Sequence, residues 1–460
     1  MLNNAQARDA LAAALATGAD FAEIYFQDKT SQLYTLRDGQ MESALTSRLY
    51  GAGVRVYRGL NSVYTHTSDA SPEGLLRAAK RAADAMDGLR AMDCARLHDA
   101  PRVRNHPIAI PPLGVSGARK AALLKSACAA ARDCGEKIAH VQASLSMSQE
   151  EIRIFNSEGL STGDARTRTR FAVSAVASDG RENQTGSEAP GALMGFELFE
   201  TRVDADAAAR EAAKTALTML SAGFCPAGRM PVVMDGGFGG VIFHEACGHS
   251  LEATSVAFGQ SEFAGKLGQT IAAPCVTAID DGTLPNEWGS INIDDEGMPA
   301  TRLVLIENGV LKNYMIDRLN ARRMHAAPTG SARRESYAFA PTSRMRNTFI
   351  APGADDEGEM ISSVADGLYA RKMGGGSVDP ATGEFNFSVA EGYRIRNGQI
   401  AEPVRGATLI GRGAEVLMKI DRVGPRMWMA QGMCGSSSGS VPTNVGQPRI
   451  RISEITVGGR

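Results

Sequence analysis

Apolar residues recur at helical spacing over residues 5–17, and then the period drops to two. Residues 21–27, 32–36 and 41–57 alternate apolar and polar positions, and Asp38-Gly39 is placed to make a tight hairpin turn. Helical spacing returns over 72–86, with Ser71 at the N-cap position and Glu73 in the first turn. A proline-rich connector spans 101–112, and the series then repeats. It predicts a helix over 116–134, alternating segments at 138–147 and 151–156, a turn at Ser157-Glu158-Gly159, and an alternating segment at 167–178. An alanine-rich helix over 205–220 closes it. Hairpins rather than crossover helices join these strands, so the sheets are expected to be antiparallel.

From residue 231 the texture changes. A short apolar strand over 231–234 runs into the glycine-rich stretch Asp235-Gly236-Gly237-Phe238-Gly239-Gly240. Strand pairs follow, turning at Asn308-Gly309 and at Asn397-Gly398. The expected fold is therefore α+β. Two related helix and antiparallel-sheet layers, residues 1–112 and 113–223, precede a mostly β C-terminal domain, residues 224–460.

Composition narrows the function classes. With 460 residues and 43% hydrophobic content, the chain has room for several domains with real cores. Its net charge of −2 gives no basic field for nucleic acid, and no apolar run reaches membrane-spanning length. The stretch 1–18 places Arg8 and Asp9 ahead of its alanines and reads as an amphipathic helix, not a signal peptide. Seven scattered cysteines without paired spacing point to a reducing compartment, so a cytoplasmic enzyme is expected.

The richest chemistry lies at His244-Glu245-Ala246-Cys247-Gly248-His249, just after the apolar run Val241-Ile242-Phe243. Two imidazoles can hold a zinc ion, and the carboxylate can take a proton from water that the ion acidifies. On a regular helix, residues five apart lie roughly 140° out of phase, so both rings face one ion only if the helix is distorted near Cys247 and Gly248. A glycine at 248 permits left-handed or widened geometry. The alternative leaves one histidine in solvent or in the core. A catalytic zinc needs a third protein ligand, and Cys434 is a candidate because Gly432 and Gly435 near it let the backbone approach an ion. Cys247 reads as a small buried residue.

Other residues carry weaker signals. Asp294-Asp295-Glu296 suits a second hard cation, but a solvated turn before Gly297 is the commoner outcome for such a cluster. Arg333 and Arg334 are candidates to grip a substrate carboxylate or carbonyl. The 236–240 loop lacks the order and the βαβ context of a phosphate cradle. It reads as a strand-to-helix turn, with Gly239 and Gly240 offering exposed backbone to an extended peptide. No Ser-His-Asp arrangement can be argued. Cys434 acting as a nucleophile with His244 would leave Glu245 and His249 unexplained.

These blocks together resemble the TldD/PmbA family of metallopeptidases, and specifically its TldD branch. The resemblance runs through Arg37-Asp38-Gly39, the His-Glu-x-x-x-His segment continuing as Ser250-Leu251-Glu252, and Asp294-Asp295-Glu296-Gly297. It continues through Thr329-Gly330-Ser331-Ala332-Arg333-Arg334, Pro341-Thr342-Ser343, the stretch from Arg344 to Pro352, and the glycine-flanked Cys434. It implies one zinc per metal-bearing subunit, held by His244, His249 and Cys434, with Glu245 as general base. It also implies peptide or unfolded-polypeptide substrates, and a homodimer or a heterodimer with a homologous ligand-lacking subunit, without nucleic acid or membrane. The rival from another class is a non-catalytic subunit that holds substrate or regulates a peptidase complex. Cysteine-dependent hydrolysis is a third reading.

Overall fold

The computed structural model describes residues 3–86, 88, 91–379 and 381–459; Met1 and Leu2 of the N-terminal stretch lie outside them. Helix α1 (Asn4–Ala14) starts on an Asn3–Gln6 capping box. It leads into β1 (Phe21–Arg37), β2 (Gln40–Arg58), β3 (Asn61–Thr67) and α2 (Pro72–Asp84), the last capped by Ser71 with Glu73 in its first turn. The β1–β2 turn puts Asp38 and Gly39 at φ +50° and +79°, the left-handed pair a two-residue hairpin demands.

The second unit repeats the order: α3 (Gly117–Arg132), β4 (Ile138–Asn156), β5 (Leu160–Ser178), β6 (Asn183–Glu188) and α4 (Ala205–Ser221). The segments 21–27 and 32–36, and likewise 138–147 and 151–156, are not separate strands. Each pair is one long strand, because β1 and β4 pair antiparallel in unbroken register from Glu23↔Asn156 to Arg37↔Gln142. The two layers thus share one continuous sheet, running β3-β2-β1-β4-β5. Separate apolar clusters of α1 and α2, and of α3 and α4, pack on it.

In the C-terminal part, β7 (Gly228–Met234), β8 (Ala278–Asp281), β9 (Arg302–Glu307), β10 (Asn347–Ile350), β11 (Asp366–Val378) and β12 (Glu384–Arg396) come first. They are followed by β13 (Gln399–Arg405), β14 (Thr408–Arg412), β15 (Trp428–Ser436), β16 (Gly439–Gln447) and β17 (Ile450–Gly458). One sheet runs β11-β7-β17-β14-β12, and a further β11–β12 pairing closes it on itself. The other runs β9-β8-β10-β16-β15, which leaves β15 at its edge. The largest apolar core lies within this part and includes Phe243, Ala246 and Cys247 of the histidine motif.

The cluster Asp294-Asp295-Glu296 is not a solvated turn. All three side chains are at most 2% exposed, and arginines of the first sheet reach them. Arg166 of β5 donates to Asp295 at 2.8 Å, and Arg55 of β2 pairs with Glu296 and with Glu23 of β1. Arg334 donates to Glu23 at 2.8 Å and to the Asp295 carbonyl at 2.8 Å. Asp294 accepts from the Glu296, Met298 and Ala332 amides. Burial and the neighbouring Glu296 charge still push its carboxyl up to about 7. The sequence shows the local charge, but not the Arg55 and Arg166 guanidiniums that fold back from more than a hundred residues away.

This network joins the N-terminal sheet to the C-terminal part, so removing one charge strands another. Burial raises the Glu23 carboxyl, but Arg55 and Arg334 more than offset this and hold it below the ordinary range. Glu23→Gln leaves the Arg334 guanidinium donating only to neutral groups, Tyr64 Oη and the Phe339 and Asp295 carbonyls. The expected cost is about 3–5 kcal/mol, seen as a lower thermal midpoint that Glu23→Gln/Arg334→Met partly restores. An unchanged midpoint for the single variant refutes the assignment.

Candidate metal centre

Strand β7 delivers the chain to the 236–240 loop, from which a short helix continues through His244. Residues 244–248 form a π turn, and the His249 N–H bonds back to the His244 carbonyl. That i→i+5 bond widens the helix by one residue and brings side chains five apart toward one face. The expected distortion is present, but the role of Gly248 differs from expectation. Its φ of −54° is ordinary right-handed backbone. What glycine supplies is space: a Cβ there would lie 2.2 Å from Met345 Sδ, so the buried Met345 side chain would have to move.

Cys434 arrives on β15, opposite Val441 of β16. Its Sγ lies 3.3 Å from His244 Nε2 and 3.3 Å from His249 Nε2. Among the described residues, these three form the one group of three or more such donors close enough to share an ion, all within 4.8 Å. Tetrahedral zinc, with bonds of about 2.1 Å to N and 2.3 Å to S, separates N from S by roughly 3.6 Å. Both N–S distances are within a few tenths of an ångström of that value, and two imidazoles with a thiol are a donor set that suits zinc. Burial raises the Cys434 thiol, but the facing imidazoles bring it down to about 3, which keeps it a thiolate ready to ligate. Glu245 reaches the same place, its Oε2 3.7 Å from His249 Nε2.

Two residues holding this centre carried no individual role in the sequence reading. Glu252 accepts from His249 Nδ1 at 3.0 Å and from the Met345 amide at 3.1 Å. It fixes the ring so that Nε2 faces Cys434. Although burial would lower the His249 pKa, Glu252 and Cys434 hold it well above the ordinary value. Arg344, fully buried, donates to the Cys434 carbonyl, to Ser438 Oγ at 3.0 Å and to the Gly439 carbonyl at 2.8 Å. It ties down the hairpin that carries the thiolate. A carboxylate three residues beyond the second histidine was the available signal for Glu252; nothing local distinguishes Arg344 from its neighbours.

Cys247 sits in the apolar core with its thiol pushed well up by burial, then by Glu262, as a structural cysteine would. Gly239 and Gly240 do not offer the expected exposed backbone: both are buried, and Gly240 is packed against the Gly446 backbone of β16, where a Cβ would lie 2.5 Å from its N. Gly239 borders a groove of about 990 Å³ that runs beside β15. Arg333 and Arg334 both line a second cavity, though the Arg334 guanidinium is already held by Glu23.

Glu252→Gln is expected to weaken metal binding 10- to 100-fold, because the imidazole loses its anionic anchor. Competition titration of zinc against a chromophoric chelator measures this, and wild-type affinity in the variant would remove Glu252 from the centre.

Comparison with known proteins follows the same lines. Residues 22–85, 110–220 and 227–459 match the PmbA/TldA metallopeptidase domain 1, central domain and C-terminal domain. A metalloprotease TldD homolog of Haemophilus influenzae is 38% identical over 453 residues, covering 96% of this chain and 93% of its own. A zinc metalloprotease TldD homolog of Saccharolobus solfataricus is 29% identical over 313 residues, covering 66% of this chain and 69% of its own. The crystal structure of TldE from Thermococcus kodakarensis shares the fold at 18% identity with a TM-score of 0.75, covering 96% of this chain and 97% of that one. The chain belongs to the PmbA/TldD metallopeptidase family.

Proposed function

We propose that the protein is a zinc-dependent peptidase acting on extended or unfolded polypeptide. The observation that carries this reading is the convergence of the His244, His249 and Cys434 donor atoms beside the Glu245 carboxylate. Zinc held there would polarise a peptide carbonyl and acidify water. The Glu245 carboxylate accepts the proton of the attacking water and returns it to the departing amine nitrogen. Two neutral imidazoles and a thiolate leave one formal positive charge on the ion, less than three neutral ligands would, so more of the activation falls on Glu245.

The free edge of β15 supports an extended substrate. The Asn444 amide of β16 donates away from β15, to the Arg346 carbonyl. In the alternating antiparallel pattern, Gln431, opposite Asn444, and Met433, opposite Pro442, therefore direct their N–H and C=O groups outward. Arg170 takes the Gln431 carbonyl, which leaves the Met433 groups, next to Cys434, for a strand added at that edge. Main-chain pairing of this kind recognises polypeptide shape over sequence. Gly239, which borders the groove beside β15, and Arg333, which lines the second cavity, are the substrate contacts on this reading.

A dimer, with an identical subunit or a ligand-lacking homologue, is supported by the outer half of the β1–β2 hairpin, where Leu33, Leu45 and Leu49 are exposed. All seven cysteines are free, in keeping with a cytoplasmic setting. Among the described residues no helix is long and apolar enough to cross a membrane.

Glu245→Gln separates catalysis from a holding or regulatory role. The variant is expected to keep about one zinc per chain while cleavage of a flexible peptide falls by about 10² to 10⁴. Metal analysis and a quenched-fluorescence peptide assay measure the two. Equal cleavage by both proteins would sink the assigned base, and cleavage that survives chelation but dies on thiol alkylation would favour cysteine chemistry.

A further inference from the structure

Between the first sheet and the β15–β16 hairpin lies a cavity of about 560 Å³. Strand β5 presents Arg166, Arg168 and Arg170 to it, on one face because they are two residues apart. Arg333 lines it as well. Six cationic side chains and three carboxylates line it altogether, and the carboxylates are engaged. Asp295 is held by Arg166, Glu150 accepts from Gln27, and Glu335 accepts from the Ser440 amide.

Among the described residues, two of these arginines make no ion pair with a carboxylate, although Asp295 lies near both and Glu150 near the first. Arg168, 8% exposed, donates to the Trp288 and Ser290 carbonyls, both at 3.2 Å. Arg333, 3% exposed, donates to the Met345 carbonyl at 2.7 Å. Neither is among the arginines that form ion pairs with carboxylates, whereas Arg55, Arg166 and Arg334 close by all do. Carbonyls satisfy N–H donors but do not neutralise charge. Burial, with Arg166 beside the first and Arg168 beside the second, brings Arg168 down to about 10 and Arg333 to about 9. Two buried guanidiniums that line a cavity and donate to carbonyls but to no carboxylate make a site for an anion.

The hairpin relates this cavity to the metal centre. Cys434 turns its sulfur toward the histidines, while Met433 and Ser440, whose side chains leave the opposite face, line the cavity. A peptide strand paired to the β15 edge alternates its side chains in the same way. A residue neighbouring the one on the metal side therefore points toward Arg168 and Arg333. We propose that Arg168 and Arg333 form a carboxylate-binding subsite for the bound peptide, which takes an Asp or Glu side chain or the C-terminal carboxylate. The proposal rests on the reading of the β15 edge as the substrate track.

Binding can test it apart from hydrolysis. The probes are fluorescent peptides of glycine, serine and alanine with an amidated C-terminus, carrying a single Asp or the matching Asn at each position in turn. The neutral peptide with a free C-terminal acid completes the set. Anisotropy titrations use the zinc-loaded Glu245→Gln protein, so that no probe is consumed. At least one carboxylate-bearing probe is expected to bind about tenfold or more tighter than its neutral partner, the scale of one charge-assisted hydrogen-bonded pair. Arg168→Gln and Arg333→Gln, each added to that background, should bring the ratio toward one. Preference for an Asp position identifies a side-chain pocket; preference for the free acid identifies recognition of chain ends. Equal affinity for every charged and neutral pair overturns the subsite, as does a preference that both variants retain. Should a Gln variant fold poorly, Arg168→Lys and Arg333→Lys, which keep a charge but lose the fork, are expected to give intermediate ratios. Equal charged and neutral affinities in the Glu245→Gln parent overturn the subsite whether or not the variants fold. Hydrolysis of the neutral amide by wild-type protein is scored separately: cleavage without carboxylate preference sinks the subsite alone, and carboxylate preference without cleavage sinks the peptidase reading alone.

Discussion

Cys434 and the two histidines lie 185 and 190 residues apart in the chain, yet one sulfur stands 3.3 Å from both imidazoles. Holding that meeting point imposes conditions on much of the C-terminal part. The helix must open by one residue between the rings, β16 must pair in parallel with β10 so that its partner β15 reaches them, and the hairpin must be fixed. Each condition has a side chain or a backbone contact that enforces it. Gly248 lets Met345 close against the π turn, Gly240 lets the loop lie on Gly446, and Arg344 grips the Cys434 carbonyl. Glu252 connects both arms, since one oxygen orients His249 and the other receives the Met345 amide.

What was legible in the sequence was whatever is encoded over short distances. The helix start at Ser71, the Asp38-Gly39 turn and the alternating segments are local patterns, and they are present. The π turn could also be inferred, because five-residue spacing on a helix is incompatible with a shared ion unless the helix widens. The reason for Gly248 was not legible, since it depends on Met345, about a hundred residues later. The same holds for Asp294, Asp295 and Glu296. Three successive acids normally mean solvent, and only the arriving arginines of β2 and β5 make burial affordable. Strand continuity was missed for a similar reason: the polar stretches inside β1 and β4 interrupt the apolar pattern, while their mutual pairing carries both strands straight through.

The arginines of the domain boundary fall into two electrostatic classes. Arg55, Arg166 and Arg334 meet carboxylates at hydrogen-bonding distance, which makes them part of the mortar between the first sheet and the C-terminal part. Such pairs lose several kcal/mol when one member is removed, because the survivor remains in a poorly solvated place. Arg168 and Arg333 stand in the same layer but satisfy their donors with carbonyls. If stability alone had shaped this boundary, apolar side chains of similar volume would serve it better than unpaired guanidiniums. Their retention beside the cavity is the pattern expected when a charge is held for a visiting partner.

The metal centre and the cavity are separated by a single layer, the β15–β16 hairpin. A strand has two faces, and successive residues of anything paired to its edge must visit both. On the proposed function, an ion at the first face would act on the peptide carbonyl, chemistry that is indifferent to side chains. Any discrimination among polypeptides must then come from the other face, where alternate side chains arrive. Placing unpaired positive charge there allows selection by carboxylate while the backbone pairing at Met433 remains independent of sequence. The two proposals thereby put cleavage and selection on opposite sides of one ribbon, so a substitution on the cavity side would change the second without displacing the ligands of the first.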